Sequence, residues 1–428
     1  MLPLYRYADE RSLVQERLSR SVIADASVLQ TVTTIIGQIR SARDAAVRDY
    51  TLEFQGVRLD SFVVPVDAIA DARRNADLSL IALLEEAYAN ILEFHRHEVE
   101  KSFFYEAEGG VMLGQRVRPM DRALLYVPGG KAAYPSSLLM NAAPAKVAGV
   151  QEIMVTTPCD RQGNVDPVIL AAASVAGVDR VYKLGGAQAI AGFALGTETL
   201  PKVDIITGPG NKYVAVAKKQ LFGEVAIDSI AGPSEVVVIA DEYAEPEFIV
   251  YDLFAQAEHD PDASSILITP SRELGEAVRR LAEERLGSMG RAGIIAASLR
   301  NHGAIILVDS MDEAVVVSDR IAPEHLELHV AHPWELLPRL RHAGAIFLGG
   351  YSCETVGDYF AGPNHTLPTS GTARFFSPLS VHDFIKRTSV IAYTKEQLFR
   401  CGEKIAALAD HEGLDAHAEA VRARLRSR

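Results

Sequence analysis

The sequence predicts an α/β protein in which parallel sheets are covered by helices. Two sets of short apolar runs, rich in Val and Ile, alternate with helix-length amphipathic segments and commonly end in Gly or Pro. Continuous apolar strands separated by helices are typical of parallel sheets buried on both faces. The chain has 428 residues, more than one compact core usually holds, so we expect two α/β units with a ligand cleft between them.

The predicted elements begin and end with helix. Residues 1–41 and 73–106 are charged and amphipathic, which predicts helices, and residues 380–428 predict helix again. The predicted strands are 123–127, 152–156, 180–184 and 203–206 in the first set, and 235–240, 265–269, 303–308 and 344–348 in the second. The clearest helices of the second set are 245–258 and 272–288.

Composition excludes several classes of protein. Hydrophobic residues make up 48% of the chain and charged residues 23%, which is typical of a globular protein rather than a disordered or fibrous one. The net charge of −13 argues against a broad nucleic-acid-binding face and against an anionic membrane surface. Three scattered cysteines and a charged first segment without an apolar core predict a cytoplasmic protein without a disulfide framework.

Three glycine-rich turns follow predicted strands. G-x-G-x-x-G is absent from the sequence, and Gly129-Gly130-Lys131 lacks the other residues of a phosphate-binding P-loop. The turns are YVPGG at 126–130, GGAQ at 185–188 and TGPGN at 207–211. Glycine lets the backbone approach an anionic ligand, and the helix that follows offers free N–H groups. Tight strand-to-helix connections explain each single turn equally simply.

Two pairs of residues suit metal binding or acid–base chemistry. Gln256 and His259 are three residues apart at the end of a predicted helix, so their side chains share a face and could bind one metal ion. The alternative is that His259 only stabilises the dipole at the helix C-terminus. Glu324 and His325 follow Pro323 and suit acid–base work near neutral pH, or they begin a helix. His325 and His329 also fit a metal pair, but the first turn of an exposed helix offers no third ligand.

Further polar residues lie towards the C-terminus. Asp358 and His365 are expected on a loop after a strand, where α/β proteins place reactive groups, although Asp and Asn are also ordinary turn formers. Glu412 and His417 are expected on an amphipathic tail helix that explains them equally well as exposed residues.

Taken together, these segments closely resemble the histidinol dehydrogenase family. The resemblance covers nearly the whole chain, in order. It rests on IAGPSEV at 230–236, QAEH at 256–259, PEHLE at 323–327, GDY at 357–359, GPNHTLPT at 362–369, residues 380–389, and the turns at 126–130 and 207–211.

The resemblance implies an activity and a fold. This family oxidises L-histidinol to L-histidine through the aldehyde with two NAD, as the last two steps of histidine biosynthesis. It implies two incomplete Rossmann-like domains with helical N- and C-terminal arms. The implied division is 1–24 for the N-terminal arm, 25–122 with 235–379 for the domain carrying metal and acid–base residues, 123–234 for the NAD-binding domain, and 380–428 for the C-terminal arm.

The same resemblance assigns roles to residues. One zinc ion per subunit is implied, bound by Gln256, His259, Asp358 and by His417 of the partner subunit in a homodimer. His325 is the implied base and Glu324 the residue that activates water for the second oxidation. The other implied contacts are Ser234, Glu412 and His365 for substrate, together with the metal ligands and His325, and Tyr126, Gln188 and Asn211 for NAD.

Two alternatives stay open at this point. Relatives that share the zinc ligands and the Glu-His pair oxidise other small hydroxy compounds, including sulfonated diols. A zinc-stapled binding or scaffold protein without turnover is the alternative from another class, and the Glu324-His325 pair and the three turns argue against it.

Overall fold

A computed structural model describes residues 2–18, 26–129 and 133–427. The chain forms two compact units. The first consists of Met1–Glu98 and Met120–Phe384, and the second of Val99–Pro119 and Ile385–Arg428. Among the helices of the described residues, none is both long and apolar enough to cross a bilayer.

The strands are β1 (Leu4–Arg6), β2 (Phe103–Ala107), β3 (Val111–Pro119), β4 (Arg122–Tyr126), β5 (Glu152–Thr156), β6 (Arg180–Tyr182), β7 (Ile205–Thr207), β8 (Ala226–Ile227), β9 (Glu235–Ala240), β10 (Ser264–Thr269), β11 (Ala304–Leu307), β12 (His325–His329), β13 (Ala345–Leu348) and β14 (Ile385–Ala392).

The α-helices are α1 (Arg11–Leu18), α2 (Ala26–Ala42), α3 (Asp44–Gln55), α4 (Val66–Asn75), α5 (Leu78–Arg96), α6 (Pro135–Ala148), α7 (Pro167–Ala176), α8 (Gly186–Leu195), α9 (Lys212–Leu221), α10 (Pro246–Ala257), α11 (Arg272–Arg285), α12 (Ala292–His302), α13 (Met311–Ile321), α14 (Pro333–Leu336), α15 (Glu354–Tyr359), α16 (Lys395–His411) and α17 (Asp415–Arg426).

The first unit contains two sheets whose neighbouring strands are all parallel. One has the order β6-β5-β4-β7-β8 and the other β1-β11-β10-β9-β12-β13. Apart from β1, each sheet has its first strand in the middle, and the strand order reverses beside that strand, as it does in a Rossmann fold. The predicted α/β class with parallel sheets is therefore confirmed.

Most strands of the two parallel sheets are apolar on both faces. In β9, Val236 and Val238 belong to one buried cluster with α10, whereas Val237 and Ile239 belong to the cluster on the opposite face. Helices cover both faces, so most strands are continuous apolar runs that alternate between two cores rather than between core and solvent. This is why the runs at 152–156 and 235–240 have the predicted bounds. Strand β12 differs, because one of its faces carries His325, Glu327 and His329.

The second unit combines a small antiparallel sheet with two helices. Its strand order is β14-β3-β2, and β14 pairs with β3 over eight residues, from Ile385 opposite Pro119 to Ala392 opposite Met112. The helix predicted for 380–428 is therefore wrong over 385–392, which form β14, and the helix predicted for 73–106 is wrong over 103–106, which belong to β2. Strand β14 carries Lys386, Arg387, Thr388 and Ser389, so its short-range composition resembles an exposed helix, whereas β2 is a short and mainly aromatic run without a clear alternation.

The N-terminal prediction is right in part. Helices α1 and α2 are present, but the sequence analysis missed β1, which pairs in parallel with β11 at the edge of the six-stranded sheet. Three residues are too few for a periodic signal. Part of the predicted 1–24 arm lies outside the described residues, and so does Gly130 of the first glycine-rich turn.

Candidate active site

The predicted acid–base pair, Glu324 and His325, lies at the amino end of a buried strand. Helix α13 ends at Ala322, which has a left-handed φ of 51°, and Pro323 then directs the chain into β12. The alternative that Glu324 and His325 begin a helix is wrong, because HLELH alternates polar and apolar residues with the period of a strand. Glu324 and His325 are 6% and 4% exposed.

The hydrogen bonds of His325 fix which ring nitrogen is free. Its Nδ1 lies 3.0 Å from the carbonyl oxygen of Glu235 and 3.1 Å from Oε1 of Gln256. A carbonyl oxygen can only accept, so Nδ1 carries the proton and donates. Nε2 is buried and has no hydrogen-bond partner among the described residues. Burial lowers the pKa of His325, which favours the neutral ring with a basic Nε2.

Glu324 is held beside this imidazole by the neighbouring strand. Its Oε2 accepts a hydrogen bond of 2.9 Å from the backbone N–H of Glu235 and lies 3.8 Å from Nδ1 of His325. Ser234 immediately precedes Glu235 and is half-buried. The start of β9 thus holds both members of the pair, one through its N–H and the other through its C=O.

Two proposed metal ligands come from the end of α10. Gln256 lies in the last turn of the helix and is fully buried, with its Nε2 unpartnered among the described residues. His259 lies two residues beyond the helix end and is exposed. The expectation that both sit on one face of a helix is therefore right only for Gln256, because the helix stops at Ala257.

A short helix brings the third ligand and one residue that sequence reasoning missed. Asp358 lies on α15 and not, as expected, on a loop, while His365 does lie on a loop. Ligand atoms of His259, Glu354 and Asp358 lie within 4.8 Å of one another, and Glu354 is also 3.8 Å from Nδ1 of His325. Glu354 has no motif around it, but its spacing of four from Asp358 on a helix is a signal that could have found it.

The pKa values of the two buried carboxyl groups on α15 shift in opposite directions. Burial, followed by the charge of Asp358, raises the pKa of Glu354 well above its usual range. Burial also acts to raise the pKa of Asp358, but the neighbouring His365 lowers it overall. Nδ1 of His365 lies 3.0 Å from the Asp358 carbonyl oxygen and 3.5 Å from its carboxylate. The site therefore presents Asp358 as a carboxylate.

A cavity of about 680 Å³ opens onto these groups. Its lining includes His325, Asp358, His365, Phe347 and Leu367, so mostly apolar walls carry a few convergent polar groups. Small-molecule sites have this character. The alternative metal pair of His325 and His329, which the sequence already disfavoured, is excluded, since residues four apart on a strand are separated by roughly 13 Å.

The three glycine-rich turns are close to one another. The hydroxyl of Tyr126 accepts a hydrogen bond of 3.1 Å from the N–H of Gly186. Gly208 has a φ of +106°, and a Cβ there would collide with the carbonyl oxygen of Tyr126. Strands β4 and β7 flank the point where the strand order reverses, which is where such sheets bind ligands.

The three predicted cofactor contacts differ in exposure. Tyr126 and Gln188 are 3% and 1% exposed, whereas Asn211 is exposed and caps α9 through its side chain. Both polar atoms of the Gln188 amide are buried without a partner among the described residues. An orphaned amide of this kind is costly and is consistent with a polar ligand.

A buried ion pair fastens the turn after β7. Lys218 and Asp228 form a salt bridge with side chains only 3% and 4% exposed. Lys218 also donates to the carbonyl oxygen of Gly208 at 3.0 Å, and Asp228 accepts from the N–H of Gly208 at 2.8 Å. Both backbone groups of this glycine are thus fixed by one ion pair.

The remaining predicted site residues belong to the second unit. Glu412 follows the end of α16 and His417 lies on α17. Both are exposed. The structure brings together His325, Glu324, Gln256, Asp358 and the neighbouring His259, while the roles of Glu412 and His417 stay predictions.

Comparisons with known proteins agree along the chain. The sequence model of the histidinol dehydrogenase family matches residues 18–425. The histidinol dehydrogenase of Chlorobium luteolum is 68% identical over 426 residues, covering 100% of this chain and 96% of the relative, and that of Geobacillus kaustophilus is 52% identical, covering 92% and 93%. The crystal structure of histidinol dehydrogenase from Elizabethkingia anophelis has a TM-score of 0.93 at 37% identity, covering 100% of this chain and 98% of that one. This chain therefore belongs to the histidinol dehydrogenase family of oxidoreductases.

Proposed function

We propose that the protein oxidises L-histidinol to L-histidine through L-histidinal, with zinc and two NAD per product. The observation that carries the proposal is the buried pair of Glu324 and His325 beside Gln256 and Asp358, with the free Nε2 of His325 as the base. Family membership supports the overall reaction, and the site's donor atoms support the metal.

The residues present fit a zinc ion. Zinc takes nitrogen and oxygen ligands, and ligand atoms of His259 and Asp358 belong to a group within 4.8 Å of one another. The amide oxygen of Gln256 accepts a hydrogen bond from Nδ1 of His325 and has a second lone pair that can bind the ion. Gln256, His259 and Asp358 would hold the ion together with His417 of the partner subunit. The bound ion supplies positive charge that orients the neutral nitrogen donors of the substrate.

His325 acts in both oxidations as the proton acceptor. Its Nδ1 proton is engaged by Glu235 and Gln256, so the ring is oriented and Nε2 accepts the proton of the substrate hydroxyl. NAD, when bound, supplies the hydride acceptor. Burial keeps His325 neutral before it takes up the proton, because burial lowers its pKa.

Glu324 serves the second oxidation. The backbone N–H of Glu235 stabilises its carboxylate form and fixes its position. Glu324 accepts a proton from the water that adds to the aldehyde, which yields the deprotonated hydrate from which the second hydride leaves to NAD. No cysteine nucleophile is required in this sequence of steps.

The other contacts follow from the family pattern. Ser234, Glu412 and His365 are proposed to contact the substrate, and Tyr126, Gln188 and Asn211 to contact NAD. The proposed NAD domain is 123–234, and the proposed metal and acid–base domain is 25–122 with 235–379. The arms 1–24 and 380–428 are proposed to cross between the subunits of a homodimer, with each tail completing its partner's site.

The decisive experiment counts NADH per substrate. Zinc-loaded protein is mixed with limiting L-histidinol and excess NAD, and both NADH and histidine are quantified. Two NADH per histidinol with histidine as product is the expected result. Absence of NADH from protein that binds zinc and NAD would indicate another alcohol, such as a sulfonated diol, and absence of NAD binding would indicate a scaffold protein.

A further inference from the structure

Two rows of polar side chains face each other where β12 packs against α10. On the strand, His325, Glu327 and His329 alternate with two leucines and share one face. On the helix, Asp252 lies one turn before Gln256. Gln256 meets His325 in the site described above, and Asp252 meets His329 one turn further along.

The second meeting point is a compact group of three ligand atoms. Nε2 of His329 lies 3.3 Å from Oδ2 of Asp252 and 3.5 Å from Oε2 of Glu327, and all three atoms lie within 4.8 Å of one another. The side chains are 1%, 11% and 0% exposed. None of these three atoms has a hydrogen-bond partner among the described residues, and neither has Nδ1 of His329.

This arrangement needs a positive charge between the two carboxyl groups. Burial first, and the neighbouring Glu327 second, raise the pKa of Asp252 to about 8. The other oxygen of Glu327 accepts the backbone N–H of Glu354 at 2.6 Å, so this carboxylate cannot turn away to find another partner. Burying two carboxyl groups and an unpartnered imidazole around one point costs free energy unless a cation binds between them.

The spacing of the atoms fits a metal ion. Ligands that bind tetrahedral zinc at roughly 2.0–2.2 Å lie roughly 3.3–3.6 Å from one another. The two nitrogen–oxygen distances of 3.3 and 3.5 Å fall in that range. Asp252 is the most exposed of the three side chains, so a water molecule can complete the coordination from its side.

We propose that Asp252, Glu327 and His329 form a second site for a divalent transition metal of the zinc class. Two carboxylates and a neutral imidazole balance the charge of such an ion. The site lies one helical turn from Gln256 and has none of the proposed catalytic zinc ligands among its own. Its ion ties α10 to β12 and so fixes the backbone that positions both Gln256 and His325.

The test locates and counts zinc in the whole protein. Protein loaded with Zn²⁺ is dialysed extensively against metal-free buffer, its zinc per chain is measured by mass spectrometry, and anomalous diffraction is recorded at the zinc edge. The expected result is two zinc ions per chain and an anomalous peak between Asp252, Glu327 and His329. Absence of that peak overturns the proposal and leaves shared protons as the charge that joins these groups.

Matched variants separate this site from the catalytic one. Asp252→Asn and Glu327→Gln should each lose about one zinc per chain, and the peak at the cluster should vanish while the other remains. His259→Asn should lose the other peak and keep this one. The control Asp312→Asn, at a carboxylate 81% exposed, should keep both. Because the peak in the unmodified protein needs no variant, misfolding of a variant leaves the outcome of the test unchanged.

Discussion

The ion pair of Lys218 and Asp228 allows a quantitative test of how the turn after β7 is held. Replacing Lys218 by Met removes the cation and leaves Asp228 as a charged group that is almost fully buried. Breaking a buried ion pair on one side costs about 3–5 kcal/mol, since the remaining charge is uncompensated. The lost hydrogen bond to the carbonyl oxygen of Gly208 adds about 1 kcal/mol.

The double variant Lys218→Met with Asp228→Asn provides the control. Asparagine still accepts the N–H of Gly208, and no charge is left buried. We therefore expect the double variant to be at least about 2 kcal/mol more stable than Lys218→Met alone, so the effects of the two changes do not add, as is found for interacting neighbours. The free energy of unfolding is measured by urea denaturation followed by circular dichroism at fixed protein concentration.

Two results would refute this reasoning. One is a loss below about 1 kcal/mol in Lys218→Met, which is the level of an exposed ion pair. The other is additivity, in which the double variant loses as much as the two single variants together. NAD titration of the same proteins then reports whether a loosened Gly208 also weakens binding at the proposed NAD site.

Three further predictions concern the Glu324-His325 pair, the dependence of stability on Glu98 and pH, and the backbone of Gly208. His325→Ala should lower the rates of both oxidations by about 10²–10⁴-fold, whereas Glu324→Gln should mainly lower the rate of the second. The two rates are measured separately with L-histidinol and L-histidinal, and equal losses of both rates in Glu324→Gln would contradict the division of roles. Burial acts to raise the pKa of Glu98, but the hydrogen bonds that this carboxylate accepts lower its pKa overall. The charged form of Glu98 therefore stabilises the fold above the unfolded pKa of about 4.3, and this stabilisation is lost as pH falls through the folded pKa. Glu98→Gln should therefore reduce the melting temperature at pH 7 but not at pH 3, and an equal reduction at both values would oppose this cause. Gly208→Ala should lower the free energy of unfolding by at least about 1–3 kcal/mol, because Gly208 has a left-handed φ and an added Cβ would collide with Tyr126. Thermal unfolding checks this against the control Gly287→Ala, where an added Cβ meets no atom within 4 Å.

The sequence predicted the parallel sheets well because their signal is local. A strand buried on both faces is a short uninterrupted apolar run, and helices separate one run from the next. Glu152–Thr156 and Glu235–Ala240 were predicted residue for residue. The antiparallel strands of the second unit were missed, since β14 finds its partner β3 more than 260 residues away and exposes most of its side chains.

The candidate site shows the same division between local and distant information. Local spacing predicted that Gln256 lies on a helix, and the Glu324-His325 pair stood out by its chemistry. The alternation in HLELH is a local strand signal, but nothing local indicated that its polar face is buried, because charged residues at alternate positions resemble a solvent-exposed face. Glu354 was missed for a related reason: its importance comes from Asp358, His259 and His325 converging on it.

The two faces of β12 give this strand an unusually strict length requirement. One face supplies Leu326 and Leu328 to an apolar core, and the other carries His325, the proposed base. Both neighbours, β9 and β13, are already paired with it along its length. Loss or gain of a single residue between Pro323 and His325 would exchange the faces, burying leucine in the polar row and imidazole in the core. Evolution can vary the loops around this strand, but it can adjust the strand itself only by substitution.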